Sequence, residues 1–292
     1  MKKQTAGFLL VTVTAIGLAI STILMKWVPG LTGLTPGQVA VLRFAISAPL
    51  MWVILLLRRA KSSFIPEQRW QLIGLGLIYA AASLLALFAL SRLSSSLYVI
   101  LVYVYPSLVV FHGLLTGQPV PRLWWVGLPL TMVGLLLAVV DFGQSLVVDF
   151  PGVILSLLNG FAIALYNIWS AKVFNKIPDH HVGTTWVNTS AMIAGLGLIP
   201  IFGVNLPDTM TGWVLLFSLG IFGTLIPILT LNHGLELIGA ARGSVILTLQ
   251  PVLAVLISTA FLGETLVLQQ WLGGLLVVLA IILLQRCPNR KP

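Results

Sequence analysis

Ten apolar stretches follow one another along this chain, at about residues 5–28, 38–57, 70–91, 94–115, 123–140, 152–173, 182–203, 213–235, 243–262 and 268–284. Each is close to the roughly 20 residues that a helix needs to cross the hydrocarbon core of a bilayer. Lipid offers backbone N–H and C=O groups no water, so each stretch must close its own hydrogen bonds as a helix. The runs are continuous rather than alternating, which separates them from barrel strands. Charged residues are only 8% of the chain and its mean hydropathy is +1.06, whereas a soluble domain carries about a quarter charged residues. The expected fold class is an all-α polytopic membrane protein with ten transmembrane helices. No connection is long enough for an extramembrane domain, so function must reside within the bundle.

The net charge of +9 could point to nucleic acid. The basic residues instead sit in the short breaks between apolar runs, where orientation in the membrane requires them. Of the 16 Lys and Arg residues, only Lys26, Arg43 and Arg92 fall on one side. The other thirteen share the opposite side, which places both termini in the cytoplasm. The expected location is a cell membrane, spanned many times, with a bacterial inner membrane as the setting. The lipid bilayer and a small-molecule substrate are the expected partners, with a monomer as the simplest unit and no nucleic acid. A single cysteine, Cys287, excludes an intrachain disulfide and a Cys-based metal site. Met1-Lys2-Lys3 before an apolar run imitates a signal peptide. That run continues to about Trp27 without an evident cleavage site, so a retained first span is expected.

The chain also repeats itself. Tyr98–Pro106 returns in altered form as Ser244–Pro251, with the two prolines 145 residues apart. Lys26 and Lys172 close spans 1 and 6 at an offset of 146, and Gly127 and Gly273 share that offset. Trp70 and Trp213 open spans 3 and 8 at an offset of 143. Two units follow, 1–142 and 149–286, of five spans each. An odd number of spans makes the second unit enter the membrane from the opposite side. The expected architecture is therefore two inverted five-helix repeats, a design that places a substrate site near midplane between the repeats.

Three stretches carry a resemblance. They are Thr35-Pro36-Gly37 through Arg43-Phe44, Gly239-Ala240-Ala241-Arg242-Gly243-Ser244 through Gln250-Pro251, and Phe261-Leu262-Gly263-Glu264-Thr265-Leu266 followed by Gln270-Trp271-Leu272-Gly273-Gly274. On these the chain resembles the drug/metabolite transporter superfamily, of the ten-helix EamA type, over its whole length. It departs from the pattern at Ile16-Gly17, where the family has a tryptophan-glycine pair, and at Gly117-Gln118, the first-half counterpart of Gly263-Glu264. The resemblance implies a secondary transporter, usually an exporter of small metabolites, with no cofactor. Within the superfamily the aromatic amino-acid exporters are the functional analogue, by analogy alone.

The residues suggest where a substrate would sit. Tyr98, Val102 and Tyr105 lie at i, i+4 and i+7 and share a helix face, with Tyr103 turned away from it. Pro106 frees the carbonyl of Val102 and Pro251 frees that of Leu247, so both helices can kink and act as conformational pivots. Ser244 and Thr248 occupy the matching face of the second copy, with Gln250 before the proline. Span 6 offers Asn159 and Tyr166 on one face, with Asn167 and Trp169 beside it. Tyr79 lies mid-span in span 3. Arg43 lies about one and a half turns inside span 2, deep enough to meet a substrate carboxylate, and an intramembrane charge is a functional hypothesis by default. Plain helix packing is the competing explanation for the prolines, tyrosines and asparagines. Thr14, Gly17, Ser21 and Met25 form a small and polar stripe on span 1 that suits close packing or a cavity wall. Glu264 reads as structural or gating. No carboxylate falls in the middle of a span, so an evident proton carrier is missing and facilitated or weakly coupled transport is the expectation.

The expected function is export of small amphipathic metabolites, amino acids or related compounds, by alternating access around a central midplane cavity. A channel-like facilitator is the first alternative, but the polar residues cluster at mid-depth rather than forming a continuous path. An intramembrane enzyme is the second, and it would need a convergent nucleophile, acid–base pair or metal cluster that the sequence does not offer.

Overall fold

A computed structural model describes residues 2–59, 66–93, 98, 101–117, 124–139, 149–262 and 268–285. Gln118, Gly263, Glu264 and Cys287, singled out above, lie outside them. The described residues are almost wholly helical and contain no strand. The helices are α1 (Lys2–Thr32), α2 (Pro36–Leu57), α3 (Pro66–Leu90), α4 (Tyr105–Leu115), α5 (Trp124–Val139), α6 (Phe150–Phe174) and α7 (His180–Leu196). They continue as the short α8 (Ile199–Phe202), α9 (Met210–Gly220), α10 (Ile226–Ile238), α11 (Ala240–Leu247), α12 (Leu249–Leu262) and α13 (Leu268–Gln285). A π-helical turn, Ile221–Leu225, joins α9 to α10. Five helical stretches are long and apolar enough to cross a membrane: Lys3–Thr32, Pro36–Leu57, Glu67–Leu90, Phe150–Phe174 and Met210–Ile238. Four shorter apolar helices stand beside them. This is the make-up of a polytopic membrane protein.

Local chemistry sets where the helices begin and stop. Thr35 and Gln38 form a reciprocal capping box at the start of α2, with Thr35 N–H donating to Gln38 Oε1 at 3.0 Å and Pro36 in the first turn. That satisfies two donors which would otherwise be orphaned. Asp149 caps α6, accepting from Gly152 N–H at 3.2 Å, and also pairs with Arg92 at 3.3 Å. Gly239, at φ 81°, takes the left-handed conformation that separates α10 from α11, a conformation glycine adopts at no steric cost.

The two halves of the chain interleave. α5 packs along α13, α2 along α7, α3 along α6 and α7, and α1 along α10. Small residues permit the closest approaches. A Cβ on Gly76 of α3 would lie 2.3 Å from the carbonyl oxygen of Val187 on α7, and one on Gly220 would meet Ile46 at 2.7 Å with Arg43 O at 3.6 Å. Subtracting residue numbers, Gly220 is Gly76 plus 144 and Val187 is Arg43 plus 144. A Cβ on Gly7 would strike Ile238 at 2.5 Å, and one on Gly152 would strike Leu93 at 2.7 Å, with both residues shifted by 145. Hydrogen bonds repeat in the same way. Thr14 Oγ1 donates to Pro227 O at 3.3 Å and Asn159 Nδ2 to Ala82 O at 2.6 Å, again at an offset of 145 in each partner.

Candidate functional site

A cavity of about 190 Å3 lies where the halves meet, lined from α1, α2, α3, the segment 98–105, α6, α10, α11 and α12. That is below the roughly 300–1,000 Å3 usual for drug-sized ligands, so its scale is that of a small metabolite. α1 lines it from Thr14 to Met25, α3 from Tyr79 to Leu90 and α6 from Asn159 to Asn167. The cavity thus lies toward the end of the bundle where α3 finishes and α6 begins. At the opposite end the described helices meet, with Gly234 against Val11 and Gln68 Nε2 donating to Lys176 O at 3.1 Å. There His180 Nδ1 approaches Glu236 Oε2 at 2.5 Å, and the His180 ring stacks on His233 at 4.1 Å.

The interruption of two helices shapes the walls. The segment before α4 leaves helical geometry at Tyr103–Val104, just ahead of Pro106, and α11 gives way to α12 at Thr248, just ahead of Pro251. A proline cannot bond the carbonyl four residues back, and both freed carbonyls have company. Leu247 O receives the Tyr103 hydroxyl at 3.4 Å. Val102 O faces Gly160 of α6, where a Cβ would lie 2.9 Å from it. The Tyr103 hydroxyl also reaches Gln250 Oε1 at 2.9 Å, and Tyr105 donates to Ser244 O at 3.2 Å. The two interrupted segments are therefore sewn to each other by tyrosines.

Further tyrosines are fixed by asparagines. Tyr98 donates to Asn159 Oδ1 at 3.0 Å. Tyr166 donates to Asn232 Oδ1 at 2.7 Å, which also accepts from Ser170 at 2.8 Å, while Asn232 Nδ2 donates to Thr184 at 3.1 Å. Asn232 is fully buried and ties α6, α7 and α10 together beneath the cavity. Tyr79 packs its ring on Tyr166 and on Phe44, with centroids 5.6 and 5.4 Å apart.

Arg43 is 3% exposed and lines the cavity. Its Nε donates to Thr224 at 3.0 Å, one terminal nitrogen reaches Tyr79 Oη at 3.4 Å, and the other lies 4.0 Å from Met25 Sδ. Two more lining groups are buried donors without a protein partner, Asn167 Nδ2 and Ser83 Oγ.

Of the residues expected to meet a substrate, the lining holds Arg43, Tyr79, Tyr98, Val102, Tyr105, Asn159 and Tyr166, together with Pro251. Trp169, Ser244, Thr248 and Pro106 stand outside it. The Trp169 ring fills the space over Gly74 of α3. The Ser244 and Thr248 hydroxyls turn back to the carbonyls of Ala241 and Val245 on their own helix. Tyr103, expected to face away, lines the cavity, because the break at 103–104 ends the helical periodicity that turned it outward. Thr14, Ser21 and Met25 of the polar stripe on α1 line it too, whereas Gly17 packs against Pro227. Among the described residues no group of three or more His, Cys, Asp or Glu could hold a metal.

Known proteins resemble this chain in sequence and, for a solved structure, in fold. The transporter YcbK of Bacillus subtilis, itself uncharacterized, is 24% identical over 94% of this chain and 90% of its own length. The uncharacterized inner membrane transporter YedA of Escherichia coli K12 is 25% identical over 87% of this chain and 83% of its own. One protein of known crystal structure superposes with a TM-score of 0.81 over 98% of this chain and 99% of that one, at 20% identity, a likeness of fold alone. The EamA-like transporter family matches residues 5–140 and again 150–286. Matched twice over nearly all of its length, this chain belongs to the EamA-like transporter family.

Proposed function

We propose that the chain is a secondary transporter that exports small amphipathic metabolites, amino acids or related compounds, by alternating access around the cavity between its halves. In this reading 1–142 and 149–286 are two inverted five-helix units, ten helices cross a bacterial inner membrane, and both termini are cytoplasmic. One observation carries it: contacts between the two halves recur with their partners exchanged at a near-constant offset. Thr14 to Pro227 becomes Asn159 to Ala82, and Gly7 to Ile238 becomes Gly152 to Leu93. Helix pairing obeys the same exchange, since α1 against α10 maps onto α6 against α3 while α2–α7 and α5–α13 map onto themselves. Such an exchange is what a pseudo-two-fold axis in the membrane plane would produce, and that axis relates the two access states of a transporter.

The charge distribution along the sequence makes the packed end cytoplasmic and the cavity outward-facing. Opening the other way requires parting α7 from α10 at His180–Glu236 and bending the segments interrupted before Pro106 and Pro251. Since the lining stops well short of the packed end, an enclosed site is favoured over a continuous pore. The test is reconstitution in liposomes with a panel of amino acids, amines and nucleoside-like compounds, with and without a pH gradient. Saturable flux of at least one compound, with apparent affinity weakened by Tyr98→Ala, is the expected result. Absence of saturable flux for the whole panel contradicts the reading.

A further inference from the structure

Among the described residues that line the cavity, Arg43 alone carries a charge. No carboxylate of the described residues lies within ion-pair distance of Arg43, and none lines the cavity. A guanidinium has five N–H donors. Arg43 makes three polar contacts, one of them to a thioether sulfur, and its guanidinium lies 5.1 Å from the centre of the Phe44 ring; among the described residues two of its donors have no acceptor. An arginine buried without a counter-charge is costly inside a membrane protein, and such residues mark substrate or ion pathways. The equivalent position in the second half, Val187 at the offset of 144 that relates the Gly76 and Gly220 contacts, is neutral and fully buried. Its neighbour Asn188 donates Nδ2 to Ser47 at 2.8 Å, its Oδ1 has no partner among the described residues, and neither residue lines the cavity. The charge is therefore a one-sided feature of an otherwise paired architecture.

Two further lining groups without a partner among the described residues can donate as well. Asn167 Nδ2 is a donor, and Ser83 Oγ can be one. The Tyr79 hydroxyl accepts from Arg43 and keeps its own proton free to donate, whereas Tyr98, Tyr103, Tyr105 and Tyr166 donate to protein acceptors. The remaining wall is apolar or aromatic, from Leu18, Ile163, Ile228 and Leu231 to the tyrosine rings. A cavity with an unpaired cation and free donors recognises an acceptor-rich anion, and its apolar wall recognises a hydrocarbon body.

Resting on the transporter reading above, we infer that the substrate is a small monocarboxylate anion with an apolar or aromatic body, its carboxylate held by Arg43 and Tyr79. A zwitterionic amino acid shares that carboxylate, but its ammonium finds no acid in the lining, so desolvating it goes uncompensated. The net-anionic members of the proposed substrate class are thus selected over the zwitterions.

The test uses three probes with one aromatic body and different charge: 3-phenylpropanoate, phenylalanine and phenethylamine. Binding to the purified full chain is measured by ligand-induced thermal shift, and transport is measured in proteoliposomes. The anion is expected to bind and move with at least tenfold higher apparent affinity than the zwitterion, and the amine not at all. Arg43→Gln removes the preference, and Arg43→Lys restores part of it. Should Arg43→Gln not fold, Asn167→Asp places an acid in the same wall and is expected to weaken the anion and admit the amine. Equal or better binding of phenylalanine or phenethylamine by the wild type overturns the inference, as does failure of 3-phenylpropanoate to bind. Unchanged selectivity in the Arg43 and Asn167 variants overturns it equally. Either result leaves the transporter reading intact if the broader panel shows saturable flux, and absence of flux for that panel and for all three probes overturns that reading as well.

Discussion

Replacing Asn232 by leucine removes a junction while keeping the same branched arrangement of four side-chain heavy atoms. Asn232 makes three side-chain hydrogen bonds, accepting from Tyr166 and Ser170 and donating to Thr184, all fully out of contact with solvent. Between membrane helices such a bond is worth about 0.6 kcal/mol on average and about 1.7 at most. Three of them amount to about 2 kcal/mol, with a ceiling near 5. Ser170 and Thr184 can recover part of the loss by turning to carbonyls on their own helices. Tyr166 cannot, because its hydroxyl lies too far from its own backbone. The loss should therefore concentrate in the Tyr166 bond. The assay is the unfolding free energy in bicelles, measured for Asn232→Leu, Tyr166→Phe and the double variant. The expected result is a destabilisation of about 2 kcal/mol for Asn232→Leu and a coupling of at least 0.6 kcal/mol with Tyr166→Phe. A change below 0.5 kcal/mol, or strict additivity of the two substitutions, would refute the view that this junction holds α6, α7 and α10 together.

Other outcomes follow from the same geometry. Gly76→Ala drives a Cβ to 2.3 Å from the Val187 carbonyl, which backbone must yield to, so a loss of about 1–3 kcal/mol is expected; Gly30→Ala, with nothing within 4 Å, should leave thermal stability unchanged. Substituting both Pro106 and Pro251 by alanine restores two helix hydrogen bonds at the interrupted segments and is expected to slow turnover with binding retained; unaltered turnover would make them packing features only. His180 gives a pH signature: burial first, then the stacked His233, holds its imidazole below the ordinary histidine range, outweighing the opposing charge of Asp179. A lowered folded-state pKa means that this contribution is fully present above about pH 6.5 and is lost as pH falls through the folded value. Melting temperature should drop on acidification from pH 7.5 to 5 in the wild type and less in His180→Gln; equal slopes would contradict the assignment.

Much of this was legible in the chain. Continuous apolar runs and scarce charge dictate helices in a membrane, and the described residues are helical throughout almost all of those runs. Arg43 was legible because a charge well inside an apolar run has few explanations. Tyr98, Tyr105, Asn159 and Tyr166 were legible because polar groups inside such runs must converge on partners or on a cavity. What the sequence hid is which side of an irregular segment faces inward. Regular periodicity turns Tyr103 outward, but the helix breaks at 103–104 and the residue lines the cavity. Spacing puts Ser244 and Thr248 on a wall, yet it cannot reveal that their hydroxyls bond their own helix. Trp169 shares a face with polar residues, yet the missing side chain of Gly74 draws it into packing. The partner exchange between Thr14–Pro227 and Asn159–Ala82 could be recognised only once the contacts were known, although the offset was present in the residue numbers.

The most direct test of the cavity as the transport site is to fill it. Ala82 lines the cavity from α3, and Ala82→Trp adds a bulk comparable to much of the 190 Å3 available. Flux is measured in proteoliposomes for a compound that the wild type carries, with correctly folded protein verified by monodispersity and an unshifted helical spectrum. The account predicts that folded Ala82→Trp binds in the membrane but carries no saturable flux. Wild-type flux through the folded, filled variant would contradict it.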